Sequence, residues 1–134
     1  MRSHGTPGVT AALLVSTLLV AACGGGSTEP ITVVKDSAGA VSFTGTVLPI
    51  LRDHCKRCHD EDRKGGLYLM SYDGVRKGGK RGPAVIAGDP EGSQIVGSVE
   101  KRKEPHMPPR VFSALTEDRI AAIRQWIAEG AKNN

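Results

Sequence analysis

The sequence predicts a mainly α-helical domain in which glycine- and proline-rich loops join short helices. Apolar residues recur at three- and four-residue spacing in two segments, which is the period of an amphipathic helix. The chain contains 17 Gly and 8 Pro, and these residues separate the helical segments. Its 134 residues suit a single domain, and no internal repeat is visible.

The composition is poor in aromatic residues. Hydrophobic residues make up 39% of the chain and aromatic residues only 4%, which is thin for a core built of side chains alone. We therefore expect something other than side chains to fill part of the interior. The composition argues against collagen, a coiled coil or a polytopic membrane protein.

The first 22 residues are predicted to be a lipoprotein signal peptide. A positive Arg2 precedes an apolar run from Val9 to Ala22, which as a helix would span about 21 Å, less than the ~30 Å of a bilayer core. The run ends Val20-Ala21-Ala22-Cys23, which resembles a bacterial lipobox. An ordinary signal peptide cleaved beside a cysteine is the alternative.

Cys23 is accordingly predicted to carry lipid, and residues 23–42 to form a flexible tether. The anchor would hold the protein on the periplasmic side of the cell envelope. The residue after Cys23 is Gly24 and not an Asp, which at that position would signal retention in the inner membrane. This favours the outer membrane. The net charge of +4 suits acidic protein partners or anionic headgroups, or only solvated loops, whereas export makes nucleic acid a poor partner.

Residues 43–134 are predicted to form the folded domain. In its first helix, Thr46 acts as the cap, Pro49 lies in the first turn, and Cys55 lies on the apolar face. Residues 61–68 are expected to form a loop.

Two further helices precede a proline-rich segment. Ser71 is expected to cap a short helix that stops at Gly78, and Asp89, followed by Pro90, to open a helix through about Val99. The prolines of Pro105–Pro109 require an extended loop.

The last helix is the clearest. Thr116 is its expected cap and Gly130 its end. Its apolar residues form one stripe that must be buried: Ile120, Ile123, Trp126 and Ile127.

The string Cys55-Lys56-Arg57-Cys58-His59 carries the chemistry. Two thiols separated by two residues can each add across one vinyl group of a haem, and the adjacent imidazole can then reach the iron. This spacing is the attachment signature of haem c. With Cys23 given to lipid and Cys55 and Cys58 to one haem, no cysteine is left over.

Two other kinds of site could use this motif. A redox dithiol would be expected in a thioredoxin-like pattern of strands and helices, which the chain lacks. A zinc site would need further ligands, and only His54 and His106 remain besides carboxylates.

The iron would need a sixth ligand or an open position. Met107 is preferred because the surrounding prolines fix its backbone, and because 48 residues separate it from His59, enough to reach the opposite face. His106, Met70 and an open site remain alternatives, and Met70 is more readily a core residue.

Other polar residues have weaker assignments. The carbonyl of Gly82-Pro83 is a candidate acceptor for the second ring nitrogen of His59, although the same pair could be a plain turn. His54 is expected at the surface. Four cations could ring an exposed haem edge, meet the propionates or merely be solvated: Lys56, Arg57, Lys80 and Arg81.

From Thr46 onward the chain resembles the small cytochrome c domain of planctomycetes and related bacteria. The matching residues, in order, are Leu48-Pro49-Ile50-Leu51, Cys55-Lys56-Arg57-Cys58-His59, Gly65-Gly66-Leu67, Gly78-Gly79, Gly82-Pro83-Ala84-Val85, Gly88-Asp89-Pro90-Glu91, Met107-Pro108-Pro109 and Trp126-Ile127-Ala128-Glu129-Gly130-Ala131. The resemblance implies a class I cytochrome c fold around one haem, with His59 and Met107 as axial ligands. Asp60 departs from the Gly common there, with only a local effect expected.

The function expected from these residues is that of a monohaem electron carrier rather than an enzyme, anchored to a membrane and exchanging single electrons with redox partners in the cell envelope. Ligation by His59 and Met107 would saturate the iron. The alternatives are a ligand sensor or a peroxidase-like enzyme, which need a displaceable sixth ligand, and an accessory subunit of a larger oxidoreductase. His106 beside Met107 is the only hint of a distal acid or base.

Overall fold

A computed structural model describes Met1 and residues 29–134. It contains four α-helices: α1 (Leu48–His59), α2 (Tyr72–Lys77), α3 (Gln94–Val99) and α4 (Glu117–Ala128). A π-helical turn, Phe43–Val47, leads into α1, and a short 3-10 turn follows it at Lys64–Gly66. The described residues form only isolated β-bridges and no strand, so the mainly α prediction is confirmed.

Apart from Met1, the predicted signal peptide lies outside the described residues, as does Cys23. Within residues 29–134, no helix has both the length and the apolar character needed to cross a membrane.

The first helix begins one turn earlier than expected and has a different cap. The Ser42 hydroxyl accepts a hydrogen bond from the Gly45 amide at 3.0 Å, which caps the π turn that runs directly into α1. The Thr46 hydroxyl instead bonds both backbone groups of Val34, at 2.7 and 3.0 Å. Thr46 was therefore wrong as the cap, whereas Pro49 does lie in the first turn of α1.

Part of the predicted tether is packed on the domain. The Ile31 amide donates to the Asp118 carboxylate at 2.9 Å, and the Val41 amide donates to Glu129 at 2.7 Å. Val41 is buried, with 1% of its surface exposed. The folded part thus begins before Phe43, because carboxylates on α4 and just after it hold the backbone that precedes α1.

The short helices in the middle of the chain follow the predictions only in part. Ser71 caps α2 by accepting from the Gly74 amide at 3.1 Å, and Gly78, with φ +73°, ends the helix as expected. Helix α3 starts at Gln94 rather than beside Asp89. The Asp89 carboxylate accepts from the Gly92 amide at 2.8 Å and so closes a separate turn before the helix.

Helix α4 forms within its expected limits. Thr116 occupies the N-cap position by its backbone, but its hydroxyl makes no capping bond. That hydroxyl donates to the Asp118 carboxylate and accepts from Arg119 at 2.7 Å. The predicted stripe is buried, and Gly130, with φ +99°, follows the helix end.

The core lies where α4 packs against the turn that precedes α1. The Trp126 ring is 5.3 Å from Phe43, which contacts Tyr72 edge-on at 5.4 Å. The Trp126 indole N–H donates to the Lys132 carbonyl at 2.8 Å. None of these three aromatic rings lines the cavity that residues of α1 and α3 enclose.

Candidate functional site

A cavity of about 770 Å³ opens between the end of α1, helix α3 and the loop after it. Its volume lies in the range of about 300–1,000 Å³ that is typical of sites for cofactors and small molecules. The lining is mostly apolar and includes Leu67, Leu69, Ile95, Val99, Phe112 and Leu115. This space agrees with the expectation that side chains alone do not fill the interior.

The two cysteines reach the cavity from the last turns of α1. Cys55 and Cys58 are three residues apart in a helix, so both thiols face the same side, and both line the cavity as free thiols. Burial, and to a lesser extent Cys58, raises the pKa of the Cys55 thiol to about 12. Such a thiol is almost wholly protonated at neutral pH, which disfavours a redox dithiol.

His59 follows as the last residue of α1 and is buried, with 8% of its surface exposed. Its Nδ1 atom lies 3.2 Å from the Leu67 carbonyl oxygen. Because that oxygen can only accept, Nδ1 donates in this contact, and a neutral ring in this tautomer has its lone pair on Nε2. The acceptor proposed from sequence, the carbonyl of Gly82-Pro83, was wrong, since the loop after α1 folds back and brings Leu67 to the ring.

Met107 lines the same cavity from the proline-rich loop. Its amide donates to the Ser98 carbonyl at 2.9 Å, which fixes the loop to the end of α3. Met70 does not line the cavity and packs against the core.

His106 is separated from the cavity although it precedes Met107. Its imidazole lies 3.3 Å from the Glu104 carboxylate and is 42% exposed, and it is not among the lining residues.

His54 does not lie at the surface, contrary to the expectation. It is half-buried and lines the cavity, and its Nε2 atom is buried with no hydrogen-bond partner among the described residues. Burial, together with the positive charge of Arg119, lowers the pKa of His54. Helical spacing offers the signal that was missed, because His54 lies four residues before Cys58 on one face of α1.

Two residues at the mouth of the cavity were not predicted from the sequence. Val111 and Phe112 line it, and the Arg57 guanidinium lies 5.1 Å from the centre of the Phe112 ring. An apolar pair within a polar, proline-rich segment was the available signal.

A metal site of another kind has little support. Among residues 29–134, no group of three or more His, Cys, Asp and Glu side chains is placed to hold a metal ion. The cavity instead combines two thiols, an imidazole, and a thioether on a different segment. This set suits a porphyrin that is attached by its edge and ligated at its iron.

Residues 55–110 match the family of planctomycete cytochrome C. This match confirms the resemblance carried by the sequence motifs. The matched segment begins at Cys55 and includes His59 and Met107, so it contains all four residues singled out for haem. No curated protein and no solved structure matches the chain.

The match of this segment to a cytochrome c family suggests a c-type cytochrome, and such a family implies haem c as the cofactor. The lining of the cavity fits that group in size, in apolar character and in its sulfur and nitrogen donors.

Proposed function

We propose that this protein is a monohaem c-type cytochrome that carries single electrons between partners in the cell envelope. The observation that supports it best is that Cys55, Cys58, His59 and Met107 all line one cavity, although 48 residues separate the last two. The mainly α architecture agrees with the class I cytochrome c fold that we propose here.

Cys55 and Cys58 would provide the covalent attachment. Each thiol adds its sulfur and its hydrogen across one vinyl group, so that a thioether forms and no atom leaves. The chain carries one such motif, and we therefore assign one haem.

His59 and Met107 would occupy the two axial positions. The Leu67 carbonyl holds the His59 ring so that Nε2 can coordinate, and the Ser98 carbonyl holds the backbone of Met107. When bound, the haem supplies a reversible one-electron couple between ferric and ferrous iron, and a thioether ligand favours the ferrous state. Two protein ligands leave no position for a substrate, which is the basis for proposing a carrier rather than an enzyme.

The apolar lining has a separate task. Leu69, Ile95 and Val99 line the cavity and are buried, and they keep water away from the iron. Exclusion of water lowers the reorganisation that accompanies each change of charge. The chain would therefore hold one geometry in both oxidation states.

Carbon monoxide and cyanide separate the carrier from a sensor or a peroxidase-like enzyme. We expect the purified ferrous protein not to bind carbon monoxide, and the ferric protein to bind cyanide only slowly, at neutral pH. Rapid and tight binding of either would overturn the carrier. Redox titration should give one reversible step with one electron.

We also propose that the chain is held at a membrane on the periplasmic side, with the outer membrane favoured. Support comes from the predicted signal peptide and Cys23. Because the Ile31 and Val41 amides are hydrogen-bonded to carboxylates of the domain, the predicted tether would be shorter than residues 23–42.

A further inference from the structure

Two consecutive apolar side chains are exposed at the mouth of the cavity. Val111 has 83% of its surface exposed and Phe112 has 36%, and both also line the cavity. Single exposed apolar residues are ordinary in soluble proteins. An adjacent pair beside a functional cavity is instead typical of the centre of a protein interface, where aromatic residues are enriched.

Cations lie beside this pair and along the cavity that it lines. Three cations line the cavity, Arg57, Lys64 and Arg81, whereas Asp53 is the only carboxylate among its lining residues. Arg110, which is exposed, directly precedes Val111. The apolar pair therefore has Arg57 and Arg110 beside it, and cations outnumber carboxylates in the cavity that it lines.

The Arg57 side chain contacts the apolar pair directly. Its guanidinium lies 5.1 Å from the centre of the Phe112 ring, within the range of a cation–π contact. Arg57 also stands between Cys55 and Cys58, so the contact ties the loop that carries Phe112 to the attachment motif. A ring held in this way loses little entropy when a partner covers it.

We propose that Val111, Phe112, Arg57 and Arg110 form a docking surface for an acidic protein that exchanges electrons with the haem. This inference rests on the proposed function. Opposite charge would steer the partner and fix its orientation, and the apolar pair would make the close contact.

An acidic protein fits this docking surface better than a membrane or a second copy. Segments that bind anionic lipid by charge carry clusters of about four to eight Lys or Arg side chains, whereas this surface has two, Arg57 and Arg110. A second copy would bring the same cations face to face, which costs free energy.

The test uses the reduced full-length holoprotein in neutral detergent and an acidic blue-copper protein as electron acceptor. One electron passes from ferrous iron to cupric copper, and stopped-flow absorbance gives the second-order rate constant. We expect the rate constant to fall steeply as salt rises. At low salt, Arg57→Gln and Arg110→Gln should each lower it about 2- to 5-fold.

The remaining variants separate charge from contact. Val111→Ser should lower the rate constant at low and at high salt alike, because it removes apolar contact and no charge. Arg57→Lys should keep most of the salt dependence. Lys132→Gln is the matched control, since Lys132 is exposed, lies beside Asp36 and does not line the cavity.

Several outcomes would overturn the docking surface. One is an equal effect of Lys132→Gln and Arg57→Gln. A second is a shift of the reduction potential in the Arg57 variant that accounts for its rate, which would place Arg57 at a propionate. A third is salt-sensitive binding to vesicles of anionic phospholipid that Arg110→Gln abolishes, which would make the surface a membrane contact. If the purified chain lacked covalent haem, the proposed function itself would fail before any kinetics.

Discussion

The Nδ1 atom of His59 lies 3.2 Å from the carbonyl oxygen of Leu67, eight residues further along the chain. The loop between them is closed by a second bond, from the Leu69 amide to the His59 carbonyl at 2.9 Å. These two bonds fix both the backbone and the ring of the proposed proximal ligand. The Gly79 backbone packs against this loop, and a Cβ atom at position 79 would lie 2.7 Å from the Gly65 carbonyl oxygen and 3.1 Å from the Leu67 Cβ atom.

Gly79→Ala should therefore disturb the support of His59. We expect it to displace the loop, to destabilise the protein by about 1–3 kcal/mol, and to raise the reduction potential, because a weaker hydrogen bond makes the imidazole a less basic ligand. Gly39→Ala is the control: it also adds a Cβ atom, at φ +82° but in open space. It should lower stability by about 1 kcal/mol without a change in potential. An unchanged potential in Gly79→Ala would contradict the role given to Leu67.

Met107→Ala tests the sixth ligand. We expect loss of the near-infrared band that marks sulfur ligation of ferric haem, rapid binding of cyanide, and a fall in reduction potential on the order of 0.1 V, within the ~0.8 V that axial ligands span. Met70→Ala, at a methionine that packs against the core outside the cavity, should retain the band. Persistence of the band in Met107→Ala would place the ligand elsewhere.

The sequence predicts the limits of some helices and not of others. Helix α4 was predicted within its limits because one apolar stripe and the flanking Thr116 and Gly130 all indicate the same helix. The start of α1 was not, because the Thr46 hydroxyl is used by Val34, a contact between segments that no local pattern contains.

The same reason explains the errors at the site. Cys55, Cys58 and His59 form a local motif, and its spacing alone places them on one side of a helix. The acceptor for His59 and the position of His54 depend instead on how the loops at 60–69 and 110–115 fold over α1, and the sequence carries no periodic signal for that.

Acid should weaken the attachment of the segment that precedes α1. The Glu129 carboxylate accepts from the Val41 amide at 2.7 Å, and this bond, with that from the Gln125 side chain, lowers the pKa of Glu129 from its usual 4.5. Below pH 4.5 the unfolded chain binds this proton before the folded protein does, so the stabilisation is complete above pH 4.5 and is lost as the pH falls through the folded pKa. The Arg124 side chain lowers the pKa of Glu91, and the Thr116 hydroxyl that of Asp118, in the same direction.

Urea unfolding of the holoprotein at pH 7, 4.5 and 3.5 measures this effect. We expect the free energy of unfolding to fall with pH, and Glu129→Gln to make that fall shallower because the amide cannot titrate. Glu61→Gln, at an exposed residue in the loop after α1, should leave the slope unchanged. If the free energy of unfolding fell equally with pH in the unchanged protein and in Glu129→Gln, Glu129 would not contribute to this pH dependence.

Cys23→Ser tests the lipid anchor. Without the thiol no lipid can be attached, so we expect the domain to move from the membrane fraction to the soluble periplasmic fraction, as measured by haem-stained gels of both fractions. Ser27→Ala, which keeps Cys23, should stay with the membrane. If the Cys23→Ser protein remained there too, the lipobox interpretation would be wrong.

The most direct test of the account is the mass of the denatured polypeptide after extraction with acidified organic solvent. Covalent attachment through Cys55 and Cys58 predicts that the chain stays coloured and that its mass exceeds that of the peptide by one haem. The double variant Cys55→Ser, Cys58→Ser should lose the colour to the solvent. A colourless chain at the bare peptide mass, from cells that mature other c-type cytochromes, would contradict the account at its centre.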